Sequence, residues 1–491
     1  MKLLNGYRMR LVLVGIIAAI VFDGIGLANG ATIAVGPGAG YDFDTIQAGI
    51  DAATDADTVL VAPGEYVITE PITFRGKVIT VRSEAGRDET TLRMGTPADP
   101  ERGSVVVFEN GETIASVLEG FKITGGKGIY VSSESHWVGG GIFCDASSAT
   151  VSDCVIAQNS VDGSGGGIYC TRQCSPILID CIIAENLAEN SGGGVVVGYG
   201  AFMIVTDCII RRNSAEGTVG QSGAGGGALC AFDSSMTMTN CTIVENFAAQ
   251  IGGGVYSGIN NSSVTMTHCV IVGNTTAKWG GGLVCAWSGA SMTIRNCTIW
   301  GNSATINAGG LGCYQGTSAT VTNSIFWGNT SPKGPEIFLQ KAPTEFNLKY
   351  SDVAGGQAGI SVEGGSTLNW GVGNIDADPC FADPTNDDYH LKSEAGRWDP
   401  TAQHWIQDEV TSPCIDAGDP MSPIGWEPFP NGGFVNMGAY GGMPKASKSY
   451  FGEPICETIV AGDINGDGQV NRTDLEIMAF HWTDDVPLPL P

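Results

Sequence analysis

From Val138 to Asn329 the apolar and polar positions repeat in fixed order: a glycine cluster, an apolar run, a cysteine, then an asparagine. The asparagines are Asn159, Asn186, Asn213, Asn246, Asn274, Asn302 and Asn329, at steps of 27, 27, 33, 28, 28 and 27 residues. Five residues before each stand Cys154, Cys181, Cys208, Cys241, Cys269, Cys297 and finally Ser324. Two columns in lock-step are the mark of stacked structural units. Within a unit the apolar residues alternate, as in Ile177, Ile179, Cys181 and Ile183, which is the period of a strand with one face buried. Glycines interrupt every unit before a helical period can establish itself. Strands and turns too short to bury a core alone must stack on their neighbours. The pattern therefore predicts an all-β parallel β-helix of about 12 coils, with rungs about 4.8 Å apart. The 33-residue step predicts a loop of about six extra residues near 217–223.

The residue before each column cysteine (or Ser324) reads Asp153, Asp180, Asp207, Asn240, His268, Asn296 and Asn323. Such a ladder could serve acid–base chemistry or calcium. These are also the non-glycine residues that best tolerate left-handed backbone, and they interchange freely down the column. The column is read as a sharp bend between two strands. The asparagine column predicts a second bend, with side-chain amides hydrogen-bonded from coil to coil. The column cysteines serve as small inward apolar residues.

Toward the N-terminus, residues 1–30 join Lys2, Arg8 and Arg10 to an apolar run from Leu11 to Phe22 and then small residues. This reads as a secretory signal peptide, with a retained anchor as the alternative. The run is short for a bilayer, and no later segment is long and apolar enough to cross one. Residues 31–348 are assigned to the solenoid, 349–450 to terminal coils and capping loops, and 451–491 to a linker and a calcium segment. Residues 41–53 predict an amphipathic helix capped by Asp42 or Asp44, with Ile46, Ile50 and Ala53 as its apolar stripe. Such a helix would cover the open end of the first coil.

Composition narrows the partners. The formal net charge of −27 repels DNA, RNA and anionic lipid, so no nucleic acid is expected, and a polyuronate would need bridging calcium. The 15 cysteines belong to a chain that leaves the reducing cytoplasm. Column cysteines on adjacent rungs point the same way, a poor geometry for bridging. Cys144 with Cys170, Cys285 with Cys313, and Cys380 with Cys414 are candidate pairs, and the connectivity stays open.

The stretch "TIQAGIDAATDADTVLVAPGEYV" resembles the amino-terminal signature of pectin-lyase-like right-handed parallel β-helix proteins. The Gly-Gly-Gly-Ile and Ile-x-x-Asn elements are similar to repeats of polymorphic outer-membrane proteins. This chain usually has Ile where those favour Phe, which only Phe326 keeps, and it lacks their carboxy-terminal membrane barrel. "DPCFADPTNDDYHL", "SPCIDAGDP" and "NMGAYGG" resemble the final coils of exported bacterial β-helix proteins. The resemblance implies a right-handed helix over about residues 31–450, and it includes polysaccharide lyases and hydrolases. No Gly-His pair of the hydrolase kind occurs, paired carboxylates are not concentrated at any level, and no catalytic residue is assigned.

Two places carry binding chemistry. Three residues after each column cysteine stand Ala157, Ala184, Arg211, Val244, Val272, Trp300 and Trp327, which alternation turns outward. Trp300 and Trp327 would stack one rung apart as a platform for sugar rings, or lie under a loop or the segment after Pro332. Arg211 is the outward cation of the same face. Near the C-terminus, Asp463, Asn465, Asp467, Gln469, Asn471 and Asp474 occupy positions 1, 3, 5, 7, 9 and 12 of an EF-hand calcium loop, with Gly468 at the turn. Asp474 at position 12 and the following helical stretch resemble one of the two segments of a type I dockerin, which implies a protein partner for this tail. Together these readings give a secreted or cell-surface protein with a calcium tail, directed at a polysaccharide or cell-surface glycan. A non-enzymatic adhesin or structural protein is the alternative.

Overall fold

The computed structural model describes residues 30–450 apart from 134, 218–223 and 288. The signal peptide, the calcium loop and most of the 33-residue step's insertion lie outside the described residues.

Successive coils stack their strands in register into three long parallel sheets. The first sheet has 13 strands, from Thr32–Val35 to Thr367–Trp370. The second runs from Gly64–Ile68 to Asp352–Val353, and the third from Ile72–Thr73 to Ile360–Glu363, with 11 strands each. One coil shows the plan. Ile177–Ile179 lies in the first sheet, Ile182–Ala184 in the second, Leu187–Ala188 in a short fourth sheet and Val195–Val197 in the third. The fold is the parallel β-helix that the repeats predict, in keeping with the right-handed form that the resemblance implies.

The bends follow from backbone tolerance. Asp153, Asp180, Asp207, Asn240, His268, Asn296 and Asn323 all take left-handed backbone, with φ from 46° to 55°. This bend resets the alternation, so Leu178, Cys181 and Ile183 point inward at 0–1% exposure. Ile177 and Ile179, expected inward, stand half-exposed on the outer face. Each fully buried aliphatic side chain contributes about 1.5–3 kcal/mol.

At the second bend the left-handed residue is the one before the asparagine: Gln158, Glu185, Arg212 and Glu245 have φ of 57°, 55°, 52° and 54°. Each asparagine instead turns its amide inward. Oδ1 of Asn186 accepts from the N–H and the Nδ2 of Asn159, at 3.1 and 3.0 Å, while its own Nδ2 donates to the Ile156 carbonyl at 2.9 Å. This ladder runs coil to coil to Asn329, where the Glu336 carboxylate accepts from Asn329 N–H at 3.2 Å and from its Nδ2. The glycine clusters lie against it. A Cβ on Gly254 would sit 2.5 Å from the Gly282 carbonyl oxygen and 3.2 Å from the Asn274 amide. The glycine and asparagine columns are two sides of one close contact.

Among the described residues the α-helix is Ile46–Ala52, shorter than expected. Thr45 caps it, its hydroxyl accepting from Ala48 N–H at 3.3 Å, while Asp42 accepts from Ala34 N–H instead. Ile46, Ile50 and Ala53 are buried under the first coil as the stripe requires. No helix among the described residues is long and apolar enough to cross a membrane.

The candidate disulfides do not form: every described cysteine is unbridged. Cys144 and Cys170, and likewise Cys285 and Cys313, are direct partners on parallel strands in register. In-register neighbours on parallel strands point the same way, a poor geometry for bridging. Cys414 is buried and donates its S–H to Asp352 at 3.2 Å.

Candidate functional site

After Thr367–Trp370 the chain leaves the coils and returns over the outer face of the second sheet. The bend column supplies its dock. Asn323 Oδ1 accepts from Asp419 N–H at 2.7 Å, and its Nδ2 donates to the Ser422 hydroxyl at 3.0 Å. Asn296 Nδ2 donates to the Asn436 carbonyl at 3.1 Å, and the Thr298 hydroxyl accepts from Ala439 N–H at 3.1 Å. Lys349 pairs with Asp419 at 2.6 Å. Sequence reasoning assigned this column to backbone tolerance alone. The signal for a second role was there: aspartates early in the column give way to Asn240, His268, Asn296 and Asn323, neutral residues that can be covered at lower cost than carboxylates.

The returning segment is held by its own buried ion network. Asp388 accepts at 2.6 Å from His390 Nδ1 and at 3.1 Å from Arg397, which also clamps both oxygens of Asp408 at 3.0 and 3.2 Å. Mutual pairing offsets the desolvation of these charges. The neighbouring aspartates do turn chemistry: Asp376 accepts from Gly355 N–H, Asp378 from Cys380 N–H, and Asp383 from Thr385 and Asn386.

Arg211, Val244, Val272, Trp300 and Trp327 are register partners in one outward column of the second sheet. Phe381, Tyr389, Leu391 and Ile415 of the returning segment pack over its middle and bury Val272. The Trp300 ring meets Tyr389 at 5.7 Å between centroids, and Tyr389 meets Phe381 edge-on at 5.7 Å.

The cover is incomplete. Between coil and cover lies a cleft of about 300 Å³, with Trp300 and Trp327 on the coil side. Phe381, Pro384 and the exposed Val410 wall the other side, and Asp378, Cys380 and Lys392 supply its polar atoms. The volume is at the small end of the range for small-ligand sites. Burial, reinforced by the Asp378 charge, holds the Cys380 thiol above its ordinary pKa, so it stays protonated. Two indoles, one carboxylate and one ammonium can hold a ring with an apolar face and a hydroxylated edge.

Both expected tryptophans therefore meet at one cleft, where platform and cover coexist. Arg211 is elsewhere. It stands exposed three rungs up the column, ~14 Å from Trp300 at the usual strand spacing. Its neighbour Arg212 pairs with Glu245 at 2.6 Å. The sequence offers Asp378, with Asp376, Asp383, Asp387 and Asp388, as an ion site or as turn chemistry, but it does not place the wall from Asp378 to Val410 beside the tryptophans, because nothing local brings residues some 80 positions away to Trp300.

A family model described as "right handed beta helix region" matches residues 101–225, 140–326 and 221–375. The chain belongs to the right-handed β-helix family. Residues 345–418, which include much of the returning segment of this β-helix, also match a model described as "disaggregatase related". No curated protein matches the chain. Among solved structures, pectate lyase Pel9A aligns over 84% of this chain and 97% of its own at 14% identity and a TM-score of 0.45. The catalytic unit of a GH87 α-1,3-glucanase from Streptomyces thermodiastaticus strain HF3-3 gives 16% identity and a TM-score of 0.41, over 67% of this chain and 65% of its own. Carrot pectin methylesterase gives 12% identity and a TM-score of 0.30, over 71% and 90%. Likeness at this level says nothing of the substrate.

Proposed function

We propose that this β-helix protein is an exported, carbohydrate-directed protein that binds a polysaccharide in the cleft between its coils and the returning segment. The observation that supports this most is the pair of indoles, Trp300 and Trp327, held one rung apart and half-exposed on the cleft floor. Sugar rings present C–H faces to aromatic planes while their hydroxyls seek polar partners, here Asp378 and Lys392. The reading is one of binding. The cleft holds a single carboxylate, whereas glycoside hydrolysis ordinarily uses two across the scissile bond. The tail from Asp463 to Asp474 binds one calcium ion, through Asp463, Asn465, Asp467, Gln469, Asn471 and Asp474. By its dockerin-like character it attaches the protein to a partner or to the cell surface.

A screen of the full chain against neutral, sulfated and uronic polysaccharides, with and without calcium, tests the reading. Retention by at least one polysaccharide without release of new ends is expected. Release of reducing or unsaturated ends would replace binding by catalysis, and silence across the panel would overturn the carbohydrate assignment.

One feature favours the adhesin alternative in that event. On the first sheet, Ser235, Thr237 and Thr239 align with Ser263, Thr265 and Thr267, then Ser291 and Thr293, then Ser318 and Thr320. This flat, repeating hydroxyl face suits an extended, repetitive surface better than a single sugar.

A further inference from the structure

Cys144, Cys170 and Cys174 form a group unlike the cysteine columns. Cys144 and Cys170 are register partners on the third sheet, and Cys174 reaches in from the turn that follows Cys170. Their three sulfurs lie within 4.8 Å of one another, and each residue is at most 1% exposed. In a column a cysteine meets only the residues above and below it, as inert packing requires. Here a third thiol closes a triangle that strand stacking alone does not produce.

The size of the triangle fits a metal. A metal–sulfur bond of about 2.3 Å in planar trigonal geometry puts the sulfurs ~4.0 Å apart. The donors are all sulfur, which selects soft ions over calcium or magnesium. Zinc would want a fourth ligand, and no imidazole or carboxylate among the described residues joins the three sulfurs. Cys144 donates its S–H to the Ser147 carbonyl at 2.8 Å and Cys174 to the Cys144 carbonyl at 3.7 Å, protons that a bound cation would displace. There is also a way in. Arg172 and Gln173, immediately before Cys174, are exposed and both left-handed at φ 52° and 64°. Opening this one turn brings Cys174 to solvent at the cost of two coil-to-coil bonds, from Gln173 N–H to the Tyr199 carbonyl and from Phe202 N–H to the Cys174 carbonyl.

We propose that Cys144, Cys170 and Cys174 bind one soft, thiophilic d10 cation in trigonal three-sulfur coordination, with Cu(I) as its type. Three metal–sulfur bonds form, the protons still held on sulfur pass to solvent, and the oxidation state of the ion does not change.

The test titrates the full-length reduced chain with Cu(I), without oxygen, against a chromophoric chelator. The oxygen ligands of the calcium loop do not compete for this ion. One tightly held equivalent is expected, with three sulfur neighbours near 2.3 Å by X-ray absorption. Cys174→Ser and Cys174→Ala should weaken that equivalent by more than the 10–100-fold that loss of an outer-shell partner costs. Cys285→Ser, in an opposed pair with no third thiol, should leave it unchanged. Two sulfur neighbours, equal affinity after Cys174→Ser, or a disulfide among the three in protein recovered from an oxidising compartment would each overturn the proposal. The neighbour count is read on the native chain, so it decides the matter even where a variant fails to fold.

Discussion

Replacing Asn246 by alanine tests what holds one coil on the next. Asn246 is fully buried at the middle of the ladder. Its Oδ1 accepts from Asn213 N–H and Asn213 Nδ2, each at 3.0 Å, and its Nδ2 donates to the Ile210 carbonyl and to Asn274 Oδ1, each at 2.9 Å. Alanine removes all four bonds. Asn274 Oδ1 keeps the Asn246 backbone N–H as a donor at 3.0 Å. The Asn213 N–H loses its partner outright, and one of the two Nδ2 hydrogens of Asn213 is left unpaired while the other keeps the Ile183 carbonyl at 2.9 Å. Each buried donor left without an acceptor costs about 1–3 kcal/mol, so the substitution should destabilise the coils by about 2–6 kcal/mol, at the upper end for a single residue. Guanidinium unfolding followed by circular dichroism reads the total. Hydrogen exchange at the Asn213 amide reads the local effect, which matters because solenoid coils open in blocks. A loss below about 1 kcal/mol, with the Asn213 amide still protected, would mean that the ladder only fills space.

Two further outcomes follow from the charges. Glu336, Asp352 and Glu427 are buried carboxyls that burial raises to about 7. The unfolded chain gives up these protons first, so their contribution to stability is fully present below their ordinary values, 3.8 for Asp352 and 4.5 for the two glutamates, and is lost as pH rises toward 7. Glu336→Gln should lower absolute stability, because one amide oxygen replaces two acceptors facing Asn329, and should flatten the fall in this window by about a third; an unchanged slope in pH-dependent unfolding would refute the assignment. The tail should take up about one calcium ion per chain, and calorimetry on an Asp463→Ala, Asp467→Ala variant should show none; undiminished binding would remove the EF-hand reading.

What the sequence made legible was what repeats. The cysteine and asparagine columns gave the coil length, the left-handed bend at Asp180 and its counterparts, and the amide ladder, because each residue sits in the same environment on every rung. The phase within a strand was harder. Ile177 and Ile179 fit the alternation, yet the bend at Asp180 shifts it, and only the inward Leu178 shows this. The cap of the helix went to Thr45 over two nearby aspartates, a choice between equally competent side chains made by tertiary contacts. The site was legible in half. Trp300 and Trp327 were visible because they share a column. Lys392 and Phe381 were not, because the returning segment has no repeat to place it against the coils.

The measurement that bears most directly on the proposed role is affinity electrophoresis of the intact chain beside Trp300→Ala, Trp327→Ala and the double variant, using whichever polysaccharide the screen retains. Each ring should be worth about 1–2 kcal/mol, a 5–30-fold weakening, and the double variant should lose retention while its coils still unfold cooperatively. Equal retention of the native chain and the double variant would show that the sugar binds elsewhere and that the two indoles serve only to seat the returning segment.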